Sequence, residues 1–230
     1  MMSRMSLARA YLGMQCFRGE SAFAKLKGVK KTRVGYAGGT TINPTYWNIG
    51  NHTEIIEVTF DPSMISYRQI LDFFWSHHNP AKKRRKQYRS AILYETEDEK
   101  NIAGLTYEQA MAKYGEVETF VAKLGKFYQA EACYQKYWLR NNSDIFDELN
   151  LNDEQVVNST LATKMNAYCA GYTDFSELEE LKKEHGLNDS LVERVKQYAS
   201  SGGDPSACHY GSENGETGEP LANETIPATS

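Results

Sequence analysis

The stretch TEIIEVTFDPSMISYRQILDFFWSHH, residues 53–78, changes its period half-way. Its first eight residues are rich in β-branched and aromatic side chains and suit a strand. Ser66 then stands three residues before Gln69, a capping box that starts a helix. After it, Tyr67, Ile70, Leu71, Phe74 and Trp75 recur at i, i+3, i+4, i+7 and i+8, an amphipathic stripe. A strand followed directly by an amphipathic helix sets the grammar for the rest. The same reading predicts strands over 11–17, 30–37, 88–94 and 117–124. It predicts helices over 20–27, 97–113, 130–140, 153–166 and 189–199. INPTYWNIGNH, residues 42–52, is a loop rich in turn formers. Strands mixed with helices imply a layered α/β or α+β domain.

The chain has 230 residues, 40% of them hydrophobic and 24% charged, enough for one sizeable core with appendages. A net charge of −4 does not point to nucleic acid, and no apolar run is long enough to span a bilayer. The residues ahead of Cys16 lack the apolar centre of a signal peptide, so a cytosolic location is expected. The run Lys82 to Lys86 reads as a solvated loop, a nuclear localisation signal or an anion patch. From Ser201 onward the chain has five acidic residues, no Lys or Arg and few large apolar side chains, and is expected to be disordered. The organisation is thus a short N-terminus (1–7), a main domain (8–172), a helical extension (173–200) and an acidic tail (201–230).

Four cysteines, Cys16, Cys133, Cys169 and Cys208, are scattered, with no C-x-x-C pair. That spacing suits neither a zinc site nor a secreted disulfide framework. Most isolated thiols are small buried hydrophobes. Two stand apart. Cys208 lies in the glycine-rich tail, where core packing is not available. Cys16 lies at a predicted strand end just before a helix, whose free N–H groups and dipole stabilise a thiolate.

Glu54 sharpens the picture. In a strand it shares a face with Ile56, Val58 and Phe60. A carboxyl on that apolar face is desolvated and holds its proton towards neutrality. The rival reading lets it reach water at the strand end. Tyr46 and Trp47 sit in the Asn-Pro loop, and Tyr88 follows the basic run. The two tyrosine hydroxyls are able to donate to a polarised oxygen, although most of the 15 tyrosines are packing.

In order, GMQCFRG, RVGYAGGTTINPTY, NHTEIIEVTFDPSMISY, FFWSHHNP, KQYRSAILY, KFYQAEACYQKYW and NAYCAGY resemble the A-class peptide methionine sulfoxide reductases across about residues 8–172. The resemblance implies a mixed sheet flanked by helices in a two-layer, ferredoxin-like-derived sandwich. It implies Cys16 as the nucleophile that attacks the sulfur of methionine-S-sulfoxide, protein-bound or free. It implies Glu54 as the proton donor, with Tyr46 and Tyr88 assisting, and a Cys16 sulfenic acid that a second thiol turns into a disulfide. Cys208 suits the resolving role, with Cys169 as runner-up, and thioredoxin is the expected reductant. No cofactor or metal is implied, no nucleic-acid or membrane partner, and a monomer is expected.

The sequence departs from that pattern. Gln15 and Arg18 replace the Gly and Trp of the family's Gly-Cys-Phe-Trp-Gly motif. The Trp, with the residue matching Phe17, walls an apolar pocket for the sulfoxide methyl. Trp47 stands where many relatives carry a basic residue, which leaves two readings: aromatic and cation have exchanged places, with Trp47 supplying the wall, or the pocket is damaged and Trp47 packs elsewhere. The usual Asp before QYRS is absent from KKRRK, and CYQ replaces YHQ, bringing in Cys133. Two rival functions stay open on this evidence: a non-catalytic relative that binds oxidised Met, and a Cys16-based thiol peroxidase or redox sensor.

Overall fold

A computed structural model describes residues 6–14 and 19–202. A six-stranded sheet runs in the order β5-β4-β1-β3-β2-β6. Its strands are β1 (Ala8–Gly13), β2 (Val29–Ala37), β3 (Thr53–Phe60), β4 (Ala91–Tyr94), β5 (Phe120–Lys123) and β6 (Tyr128–Gln129). β3 lies between β1 and β2, antiparallel to both, with Leu12 opposite Ile56 and Tyr36 opposite Glu54. Only β5 joins in parallel, on β4. The sheet is therefore mixed, as expected.

Helices α1 (Gly19–Ala24), α2 (Tyr67–Ser76) and α3 (Glu97–Tyr114) cover one face. α2 begins as its sequence dictates: Ser66 Oγ accepts from Gln69 N–H at 3.2 Å, and Gln69 Oε1 accepts from Ser66 N–H at 2.9 Å. Its buried stripe of Ile70, Leu71, Phe74 and Trp75 packs on Leu12, Val34, Ile56, Val58 and Ile92 of the sheet. Burial of each such side chain contributes about 1.5–3 kcal/mol. On the other face Tyr11, Ala37, Ile55, Ala91 and Leu93 are covered by Phe120, Leu124 and Phe127. β3 is consequently buried along its whole length.

The C-terminal half adds α4 (Tyr137–Arg140), α5 (Ser143–Leu149), α6 (Asp153–Asn158), α7 (Thr160–Cys169), α8 (Leu178–His185) and α9 (Asp189–Gly202). α7 joins this cluster to the sheet: Leu161, Met165 and Tyr168 pack with Leu181, Val192 and Val195, while Thr163 Oγ1 accepts from Thr32 N–H at 3.4 Å.

Several predicted boundaries move, each for a local reason. β1 starts at Ala8, because its ladder with β3 starts there, and ends at Gly13. The strand predicted from 88 starts at Ala91, because Tyr88 and Arg89 donate backward to Arg85 and Lys86 in a 3-10 turn. The helix predicted over 130–140 is a 3-10 turn (Ala132–Tyr134) followed by α4. Gln135 breaks it by reaching back to the sheet, accepting from Val34 N–H at 3.0 Å and donating to Val34 O at 2.8 Å. Lys136 then turns left-handed, at φ 53°. The helix predicted over 153–166 is two, because Ser159 is extended and its hydroxyl caps α7. β6, α5 and α8 are additions to the predicted elements.

Candidate active site

Glu54 is buried. It is 4% exposed, on the face that carries Ile56, Val58 and Phe60 into the main core. Its Oε1 accepts from Gln87 Nε2 at 2.8 Å. Gln87 lies in the 3-10 turn Lys86–Tyr88. That turn is tied to β3 one residue from Glu54, where Thr53 Oγ1 donates to Lys86 O at 2.8 Å. The next residue, Tyr88, brings its hydroxyl 3.3 Å from that of Tyr46. Glu54, Tyr46 and Tyr88 are thus gathered into one hydrogen-bonded neighbourhood from a strand, a loop and a turn.

The loop that delivers Tyr46 is fixed by residues around it. Gly38 has φ +77°, a conformation that side chains resist. At Gly39 an added Cβ would lie 2.6–2.7 Å from Asn51 atoms, so only glycine fits. Asn51 Oδ1 accepts from Thr40 N–H at 2.8 Å, and His52, 1% exposed, spans the loop. His52 Nδ1 accepts from Gly39 N–H at 3.1 Å, which leaves Nε2 to donate to Thr41 O at 2.8 Å. His52, two residues before Glu54, is therefore a strut for the loop.

A residue the sequence reading did not single out completes the arrangement. Glu131 Oε1 accepts from Tyr46 N–H at 2.9 Å, and its Oε2 accepts from the Tyr36 hydroxyl at 2.7 Å. Tyr36 stands directly across from Glu54. Burial, followed by its hydrogen bond to Glu131 and that carboxylate's negative charge, keeps its hydroxyl protonated well above the ordinary range. Tyr134, in the turn after Glu131, packs on the Tyr46 ring at 4.8 Å between centroids. Trp47 is 72% exposed, with its ring edge-on to Tyr46 at 5.5 Å.

Cys16, Phe17, Arg18 and Cys208 lie outside the described residues. The chain on either side of Cys16 is well anchored. An added Cβ on Gly19 would strike Ile56 Cδ1 at 2.7 Å and Met14 Cε at 2.9 Å. Met14 and Gly19 therefore meet against the β3 side chain next to Glu54 on its face. Glu20, buried in the first turn of α1, is clamped by Lys136: Nζ donates to Oε1 at 2.7 Å and the backbone N–H to Oε2 at 2.8 Å. This ties α1 to the turn that carries Glu131 and Tyr134. Cys169 is buried in α7, and desolvation pushes its thiol up to about 12. Cys133 is exposed, next to Tyr134.

A buried carboxyl that accepts from the Gln87 amide, in the same neighbourhood as the paired Tyr46 and Tyr88 phenols, is suited to delivering a proton to an oxygen held among them. Comparison with known proteins bears on which oxygen. The family model described as Peptide methionine sulfoxide reductase matches residues 8–165. The chain belongs to that family. It is accordingly an oxidoreductase of the A-class peptide methionine sulfoxide reductases. A Drosophila melanogaster peptide methionine sulfoxide reductase is 39% identical over 188 residues, covering 78% of this chain and 75% of its own. Peptide methionine sulfoxide reductase A5 of Oryza sativa subsp. japonica is 39% identical over 190 residues, 79% of this chain and 72% of its own. Among solved structures, methionine sulfoxide reductase A of Corynebacterium diphtheriae is 31% identical with a TM-score of 0.52, covering 61% of this chain and 77% of that one. The mixed sheet with helices is thus the fold of this reductase's relatives.

Proposed function

We propose that the protein reduces the S epimer of methionine sulfoxide, free or within proteins, with Cys16 as nucleophile and Glu54 as proton donor. The observation that carries this reading is the buried Glu54 carboxyl, joined through Gln87 to the turn whose Tyr88 meets Tyr46. The anchors on both sides of Cys16, which meet against Ile56, support its approach to that carboxyl.

The Cys16 thiolate attacks the sulfoxide sulfur. The oxygen takes its proton from Glu54 while the Tyr46 and Tyr88 hydroxyls steady its negative charge. The protonated oxygen passes to the Cys16 sulfur as the bond between the two sulfurs breaks, so methionine leaves, reduced by two electrons, and Cys16 is left as a sulfenic acid. A second thiol condenses with it, releasing water and forming a disulfide, and a dithiol such as thioredoxin returns both thiols. Cys208 is the resolving thiol in this scheme. Cys169 is disfavoured by its burial and by a thiol that stays protonated at neutral pH. Phe17 and Trp47 are assigned to the methyl pocket, with Arg18 at the place of the missing aromatic. Trp47's exposure beside Tyr46 leaves it available to an incoming substrate.

The test is turnover of the separated sulfoxide epimers with excess dithiothreitol. The S epimer is expected to be reduced and the R epimer to be left. Binding of oxidised methionine without turnover, or faster consumption of hydrogen peroxide than of sulfoxide, would defeat the proposal in favour of its two rivals.

A further inference from the structure

The turn that holds Gln87 and Tyr88 is the end of a loop that places five consecutive cations, Lys82 to Lys86, at the edge of the site. Lys82, Lys83, Arg85 and Lys86 are exposed, and Arg84 is half-buried. None of the four exposed cations has an ion-pair partner among the described residues. Glu118 meets the loop through its backbone, donating N–H to Pro80 O at 2.7 Å. In a chain of net charge −4, this is a concentrated reversal of sign.

The loop is also held in place. Asn79 Oδ1 accepts from Ala81 N–H at 3.0 Å. Arg85 O accepts from Tyr88 N–H at 2.9 Å. Thr53 fixes the Lys86 carbonyl beside Glu54. Pinned at both ends, the cations cannot spread far apart to relieve their repulsion. An anionic partner relieves it, and the partner that must come to this place is the substrate. Fixed charge at the rim of a site raises the local concentration of oppositely charged ligand and speeds encounter.

We propose that the Lys82–Lys86 loop makes the enzyme prefer protein substrates whose oxidised methionine is flanked by aspartate or glutamate. This rests on the sulfoxide reductase reading above. Each exposed ion pair is worth a factor of about 1.4 to 5, so two of them give a preference of about two- to 25-fold in kcat/KM, on the order of tenfold.

The experiment compares three peptides that share a central methionine-S-sulfoxide and differ only in having Asp/Glu, Asn/Gln or Lys at the flanking positions. Free methionine sulfoxide is the fourth substrate. All are assayed with the full chain and dithiothreitol, at low and at high salt. The acidic peptide is expected to lead the neutral one by about tenfold at low salt, and the gap to close as salt shortens the screening length. The variant Lys82→Glu/Lys83→Glu/Arg85→Glu is expected to reverse the order and leave free methionine sulfoxide unchanged. Equal rates for the three peptides overturn the proposal, and so does a preference that salt and charge reversal leave intact. An oligonucleotide that binds the loop while the peptide order stays flat also overturns it. Loss of turnover on free sulfoxide by the natural protein would strike instead at the reductase reading itself.

Discussion

Replacing Glu131 with Gln tests whether the Tyr46 loop is held for catalysis or only for folding. The carboxylate accepts two hydrogen bonds, from Tyr46 N–H at 2.9 Å and from the Tyr36 hydroxyl at 2.7 Å. An amide has one acceptor oxygen, and its NH₂ faces the other donor. One charge-assisted bond is lost, worth about 1.5–3 kcal/mol. At 1.4 kcal/mol per factor of ten, the clamped loop is depopulated by about 10–150-fold. Only the clamped loop holds the Tyr46 hydroxyl 3.3 Å from Tyr88. Single-turnover methionine release in Glu131→Gln is therefore expected to fall by one to two orders of magnitude, and Glu131→Asp to recover part of it. The assay is repeated in a Tyr46→Phe background. If Glu131 acts through Tyr46, the Gln substitution costs much less there. A full effect in both backgrounds, or a Glu131→Gln rate within twofold of the natural protein, would refute the reasoning.

Other residues yield further expectations. Lys136→Met leaves the Glu20 carboxylate buried without its cation, which costs about 3–5 kcal/mol; a loss of unfolding free energy under about 1 kcal/mol in urea titration would show the pair to be dispensable. His78 donates Nδ1–H to Phe74 O, pairs with Ser90 through Nε2, and is pushed down to about 4 by burial. The unfolded chain binds its proton first, so stability should fall as pH drops from about 6.5 towards 4, by at most about 3 kcal/mol, and the slope should vanish in a folded His78→Gln variant. Cys208→Ser should keep a single turnover and lose thioredoxin-supported cycling, while Cys169→Ala should keep both; the reverse pattern would make Cys169 the resolving thiol.

The strands and helices were most legible where a local pattern decides them. β3 and α2 fall where the change of period at residue 61 puts them, because a capping box and an apolar stripe need no distant partner. Alternation put Glu54 on the apolar face of β3 but left open whether it reached water at the strand end, and the structure buries it. The turn at 132–134 was not legible, because what breaks the helix is a bond from Gln135 to Val34, about a hundred positions away. Glu131 was missed for the same reason. Its sequence neighbours say only that it is a carboxylate, and its role comes from Tyr46, which lies 85 positions earlier. Gln87 adjoined a residue already singled out, and only the close seating of its turn on β3 through Thr53 turned it into a contact of Glu54. The mutual support of loop, turn and strand is a long-range property, whereas the chemistry of each side chain was visible locally.

The central claim is that a buried Glu54 delivers the proton while Cys16 takes the oxygen. Its most direct test is the single-turnover release of methionine, without reductant, from methionine-S-sulfoxide by the natural protein and by Glu54→Gln. Release of methionine by the natural protein is expected with matching loss of free Cys16 thiol, and at a rate lower by about 10²–10⁴-fold in the variant. A Glu54→Gln rate within a few-fold of the natural one, or methionine release with the Cys16 thiol intact, would contradict it.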